Sequence, residues 1–170
     1  MRTIAVNVTL FDKLPYDPDT AFTPISLIAE LPLAMMVNPA VPAQTAADFI
    51  ALAKSQPGVL TYSSAGAGGA PHLAAEMFKD RTGTFILHVP YRGSAGIYAD
   101  LMTGKVHALF DNLPGSIEFV KTGKLKALGV TTAKRSDTLP DLRNVGETVP
   151  GYEASVFYGV AGPKGMPPQV

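Results

Sequence analysis

Two apolar runs, 22–29 and 33–37, open the ordered pattern of this chain, and Pro24, Pro32 and Pro39 punctuate them. They predict strands or strand crossings, since proline's missing N–H donor limits how far a ladder can continue. At Thr45 the spacing changes. Thr45 and Asp48 form a capping-box pattern, and Ala46, Phe49, Ile50 and Ala53 repeat at helical intervals until Pro57-Gly58 breaks the run. From there the chain alternates: strand 59–63, helix 71–81, strand 84–89, helix 94–102, strand 105–110, helix 113–121, strand 125–131. Helices of about ten residues between short, almost wholly apolar strands predict parallel pairing, because a parallel crossover needs a connection of that length. Gly83, Gly104 and Gly123 fall where those helices should end, as left-handed C-caps. The segment that follows is polar and turn-rich, with one short helix expected near 144–148, before a last apolar run at 154–161. The α/β unit from about 45 to 152 is thus well formed, yet its flanking strands lack sequence-adjacent partners, as expected of a domain connected to a second one. No repeat of fixed period is evident.

Composition narrows the function classes. A chain of 170 residues with 46% hydrophobic and 16% charged residues can bury a real core. Fourteen basic and fourteen acidic residues cancel, so there is no electrostatic footprint for nucleic acid or an anionic membrane, and any anion must be held locally. Cysteine is absent, which excludes disulfides, thiolate metal sites and a cysteine nucleophile. The apolar run 28–37 is broken by Glu30 and Pro32, so no membrane insertion is expected. The opening residues MRTIAVNVTLFDKLPYD match a secretory signal poorly.

In a parallel α/β sheet, ligands bind beyond the carboxyl ends of the strands, which makes three loops candidates. The first, SSAGAGGAPH (63–72), lets Gly66, Gly68 and Gly69 turn backbone N–H groups toward a ligand, adds the Ser63 and Ser64 hydroxyls, and runs through Pro71 into a helix whose positive end favours a carboxylate. A flexible turn before a helix accounts for the same glycines. A dinucleotide fingerprint fails because Pro71 stands where the third glycine belongs, and a P-loop fails for want of Gly-Lys-Ser/Thr. In the second loop, HVPYRGSAG (88–96), Ser94 is the expected N-cap, and Tyr91 and Arg92 either lie over a ligand or are ordinary surface groups. A hydrolase elbow would need glycine where Arg92 stands. In the third, FDNLPGS (110–116), Asp111 either caps the next helix or receives a ligand's amino group or orients neighbouring donors. His72, His88 and His107 show no metal-ligand spacing and no Ser/His/Asp set, so each reads as structural, with His72 the one to watch because it follows the glycine loop. No cofactor or metal is expected.

The stretches KLPYDP (13–18), YSSAGAGGAPHLAAEMF (62–78), HVPYRGSA (88–95), FDNLP (110–114), GKLKALGVTTAKRS (123–136), LPDLRNVGE (139–147) and PGYEASVFYGVAGPKG (150–165) together resemble the Bug family, the extracytoplasmic substrate-binding proteins of tripartite tricarboxylate transporters. The resemblance covers nearly the whole chain from about Phe11, in matching order. It implies a type II periplasmic-binding-protein fold of two α/β lobes closing on a small carboxylate: a di- or tricarboxylate, an amino acid or an aromatic acid. It further implies a periplasmic location and membrane transporter components as partners. On this chain it implies a cleft lined by Ser64, Gly66, Ala67, Gly68, Gly69, Ala70 and His72, by Tyr91, Gly93 and Ser94 of the second loop, and by Asp111 nearby. Ala67, Gly69 and Ala70 stand where relatives often carry Ser or Thr, so fewer side-chain donors are expected. The chain resembles the second lobe (38–153) with a first-lobe remnant and hinge crossing (1–37) and a return crossing (154–170), truncated at both ends.

Two other readings compete. The same fold serves as an effector-sensing module of a regulator, but no helix-turn-helix pattern stands in the first forty residues. An α/β enzyme would require a general base and nucleophile converging at these loops. The solute-binding reading needs no covalent chemistry.

Overall fold

The computed structural model describes residues 2–167. In chain order the elements are α1 (Arg2–Leu10), β1 (Phe22–Val37), α2 (Ala46–Ser55), β2 (Thr61–Ser64), α3 (Ala70–Thr82), β3 (Leu87–Pro90), α4 (Ala95–Met102), β4 (Ala108–Asn112), α5 (Leu113–Lys121), β5 (Lys126–Val130), a 3-10 turn (Val145–Glu147) and β6 (Ser155–Pro163). The α/β alternation expected from spacing is present. Thr45 and Asp48 cap α2 reciprocally, and Gly83, Gly104 and Gly123 take φ of 61°, 79° and 69° at the helix ends.

The strand order is β3-β2-β4-β1-β5. β2 runs parallel to both β3 and β4. The end of β1 enters between β4 and β5 and is antiparallel to both. The strands of the α/β alternation all point the same way, as the expected parallel pairing requires, but β4 and β5 do not touch, because the end of β1 runs between them. Leu33 through Val37 are all fully buried, because this segment has a strand on each side and helices on each face. Leu33, Met35 and Val37 pack with α2, α3 and Tyr152, whereas Ala34 and Met36 pack with α4 and α5. A strand covered on both faces needs no polar alternate, hence the continuous apolar run.

The two apolar runs near the start are one strand of 16 residues. Its first half leaves the central sheet and pairs only with β6, from Phe22↔Pro163 to Pro32↔Ser155, with register shifts after Pro24 and after Leu27. Pro24 and Pro32 are tolerated there because that half has a partner on one side only, so one row of N–H donors serves no ladder. α1 was not expected. Thr3, Ile4, Val6, Val8 and Thr9 make it a poor helix former, and its C-terminal end is held by tertiary contacts: Asn7 Nδ2 donates to the Tyr16 hydroxyl at 3.1 Å.

Candidate functional site

The loop from β2 to α3 takes its shape from glycine. Gly66 and Gly68 adopt φ of 138° and 79°, a region closed to most L-residues. Gly69 then sits at the N-cap of α3 in extended geometry, with no side chain to cap the helix, and Pro71 occupies the first turn. The first N–H groups of a helix have no intrahelical acceptor, so this end presents uncapped donors and the positive end of the helix dipole.

Not every expected donor faces outward. Ser64 is buried, and its Oγ lies 2.9 Å from the Gly66 carbonyl and 2.7 Å from His88 Nε2. A single hydroxyl proton satisfies both contacts when Ser64 donates to Gly66 and His88 Nε2–H donates to Ser64. The Gly68 N–H is likewise engaged, donating to His72 Nδ1 at 3.2 Å. Both groups therefore shape the loop, and the expectation that they stand bare toward a ligand is corrected for this conformation.

Behind the loop lies a stack that no spacing along the chain announced. Tyr62 on β2 pairs in register with His88 on β3, and their rings stack at 4.7 Å. His72 on α3 approaches His88 to 4.4 Å between ring centroids. Below them the Tyr62 hydroxyl donates to Glu76 Oε1, which also takes Lys79 Nζ at 2.7 Å. Burial first, and then Lys79, hold the His72 imidazole below its usual range against the upward pull of Glu76. Burial, then His72, depress His88 as well. Burial pushes the Tyr62 hydroxyl up, and its bond to Glu76 adds to the shift. His107 stands apart, its Nδ1 accepting from the Thr61 N–H at 3.1 Å.

The second loop begins against the first, since the Tyr91 N–H donates to the Ser64 carbonyl at 2.9 Å. Its side chain turns back to α4, where the Tyr91 hydroxyl donates to Asp100 Oδ2 at 2.8 Å. Ser94 holds the N-cap position in helical geometry and makes no capping bond, so the capping role expected for it is not formed; it and Arg92 are exposed. Asp111 Oδ2 accepts from the Tyr98 hydroxyl at 2.8 Å, and its Oδ1 from the Asn112 N–H. That bond puts the Asp111 carboxylate on the α4–α5 face of the sheet, opposite α3.

Strand alternation then hands the α3 face to Asn112, which lines a cleft beside the start of α3. This cleft, about 620 Å³, lies between Val6 of α1, the first turns of α3 from Gly68 to Met77, Asn112 at the end of β4, and Glu153 to Gly159 at the root of β6. Of the candidate residues Gly68 and Ala70 line it. Gly66, Ala67 and Gly69 border a smaller hollow of about 320 Å³, closed by Asn7, Leu10 and Phe11 from the end of α1 and the turn after it. Asn112, Phe157 and the α1 contacts escaped sequence reasoning; period-2 alternation from Phe110 was the signal for Asn112. Among the described residues no cluster suited to a metal ion occurs.

This geometry can be set against known proteins. The chain matches the model for the tripartite tricarboxylate transporter family receptor, TctC, over residues 1–170. It belongs to that family. BugT of Bordetella pertussis is 32% identical over 98% of this chain and 52% of its own length. Among solved structures, R. palustris Rpa4515 with adipate is 40% identical with a TM-score of 0.86, covering 94% of this chain and 54% of that one. MatC from Rhodopseudomonas palustris with bound malate is 26% identical with a TM-score of 0.85, covering 95% and 55%. The chain thus spans about half the length of the relatives it matches. Its fold is the mixed α/β fold of those TctC-family binding proteins, in part.

Proposed function

We propose that this chain contributes the anion-binding wall of a periplasmic solute receptor, which captures a small carboxylate and delivers it to the membrane components of a tripartite tricarboxylate transporter. The observation that carries the reading is the α3 N-terminus: an N-cap glycine without a capping side chain, opening beside a large cleft. A carboxylate there would take the free N–H groups around Ala70 and His72, with Gly66, Ala67, Gly68 and Gly69 shaping the approach and Ser64 fixing the loop from behind. Gly93 and Ser94 would border the ligand on the side of the second loop, while Tyr91 and Asp111, bonded to Asp100 and Tyr98, would hold that loop and the end of β4 in place. The adipate and malate held by the family members above support a carboxylate as the ligand class. In this reading 38–153 is one lobe, and the β1–β6 ribbon is the pair of crossings to the other. No covalent step is needed.

Substituting Gly69→Asp tests the site. The position has extended geometry, and a Cβ there meets nothing closer than 3.8 Å, so aspartate fits as an ordinary N-cap. It should raise stability by a few tenths to about 1 kcal/mol. Its own carboxylate then occupies the helix end, and calorimetric affinity for adipate or malate should fall more than about tenfold through like-charge repulsion. Binding unchanged in a variant that melts no lower than the parent would refute the site.

A further inference from the structure

Resting on the carboxylate reading above, we infer that the site takes up a proton together with its anion: His72 receives the proton and gives up its bond to the Gly68 N–H when a carboxylate arrives at α3. Three observations carry this. First, His72 stands in the first turn of α3, the turn with the uncapped donors, and its Nδ1 accepts the Gly68 N–H at 3.2 Å. That bond requires a neutral ring protonated at Nε2. A proton on Nδ1 breaks it, frees the N–H of a residue that lines the cleft, and sets a positive charge within one turn of the anion. Second, His88 lies 4.4 Å away between ring centroids and reaches Ser64 Oγ through Nε2 at 2.7 Å. It donates to Ser64 whether neutral or charged, so its titration leaves the loop as it is. Third, the other groups facing the two rings are Tyr62 of β2 and Glu76 and Lys79 of α3, and the Glu76 carboxylate already takes the Tyr62 hydroxyl and Lys79 Nζ. Burial holds both rings below the ordinary value of 6.5, so both are neutral at pH 7.

An arriving carboxylate changes that balance. Its charge favours the imidazolium at His72, as an opposite charge a few ångströms from a titrating group does. Two imidazolium rings in contact repel, so the pair takes one proton and not two. The coupling is reciprocal: the factor by which the anion raises the proton affinity of His72 is the factor by which protonation raises the anion affinity. Binding therefore tightens as pH falls from 8 to 6. Folding responds in the opposite sense, because burial penalises the same charge that the anion stabilises.

The test is calorimetric titration of malate into this protein at pH 8, 7 and 6, each in two buffers of different ionisation heat, which counts protons exchanged with the solvent. Malate keeps its carboxylates ionised over this range. Its affinity should rise about three- to tenfold from pH 8 to pH 6, with on the order of half a proton taken up per malate at pH 6. His72→Asn places an amide oxygen near the position of Nδ1 and so retains an acceptor for Gly68; it should abolish both the uptake and the pH slope. His88→Gln should leave the uptake in place. Uptake that survives His72→Asn, or binding that neither varies with pH nor takes up a proton, would overturn the inference while leaving the carboxylate site standing. Should His72→Asn not fold, NMR of the parent protein reads the same step: saturating malate should raise the titration midpoint of the His72 ring by about one pH unit, with the Gly68 amide following it. A midpoint unmoved by malate would overturn the inference as well. If neither malate nor adipate binds at any pH, and Gly69→Asp changes nothing, the carboxylate reading fails and this inference with it.

Discussion

Thr131 ties three segments of the fold together. Its Oγ1 accepts the Leu33 N–H at 3.1 Å and donates toward the Ala154 carbonyl at 2.5 Å, while its backbone N–H and carbonyl bond Leu33 and Ala154 again. The residue is wholly buried, so no water replaces a lost partner. Thr131→Val keeps the shape but orphans the Leu33 N–H and the Ala154 carbonyl, and urea unfolding should report a loss of about 1–3 kcal/mol, largely restored by Thr131→Ser. Equal stability of the valine variant would show that these bonds contribute nothing net. Gly68 gives a second residue-scale case. Its φ of 79° opposes substitution, and the far end of the Leu10 side chain lies where a Cβ would project. Gly68→Ala should cost about 1–2 kcal/mol for the left-handed backbone, and Leu10→Ala should not recover it, since exposed Leu10 can already swing aside. At this scale the glycines were legible as turn positions, since Gly66 and Gly68 both take positive φ. The sequence misled on Ser64, because whether a hydroxyl faces a ligand or a neighbouring strand depends on His88, 24 residues away.

Among elements, β2, β3 and α3 meet in the Tyr62–His88–His72 stack, and their packing makes stability depend on pH. Both imidazoles are held below the ordinary histidine value of 6.5, chiefly by burial. The groups facing them are Tyr62, Glu76 and Lys79, with the bond from Gly68 N–H to His72 Nδ1 also requiring a neutral ring. The unfolded chain therefore binds protons that the folded one refuses. Stability is complete above about pH 6.5 and falls as pH drops below it toward the lowered folded values. The midpoint of thermal unfolding should decline from pH 7 to pH 5, and replacing both histidines, His72→Asn with His88→Gln, should flatten that slope. A slope unchanged in the double variant would place the titration elsewhere. Lys79 and Tyr62 hold Glu76 below its usual value against the effect of burial, so its contribution is lost only at lower pH. The elements were themselves legible: α5 matches the expected 113–121 to the residue, and α2 carries the foreseen capping box. The stack was not, because parallel register between β2 and β3 is set by crossover length and sheet order, which local spacing does not encode.

For the whole molecule, the central sheet is closed on both faces, but the β1–β6 ribbon is not. Ile25, Leu27 and Ile28 are 54%, 63% and 67% exposed, with Tyr158 and Val160 close to half exposed on the partner strand. β6 pairs only with β1, and this half of β1 pairs only with β6, so each also presents an open edge. Sequence patterning foresaw strands here from apolar runs without neighbours, yet it split the long strand at its prolines, because a proline's cost depends on whether its edge is paired. Contiguous apolar surface of this kind attracts partners, and open edges template pairing. This chain should therefore bind an apolar-sensing dye and associate measurably as its concentration rises in sedimentation. Replacing Leu27→Lys and Ile28→Glu together removes apolar surface where little packing holds it, so dye fluorescence and association should drop sharply while the melting temperature moves little, as for most surface changes within about 0.5 kcal/mol. Dye binding that survives the double substitution would locate the sticky surface away from the ribbon. A large fall in melting temperature would instead mean that the ribbon contributes to the stability of the sheet it leaves.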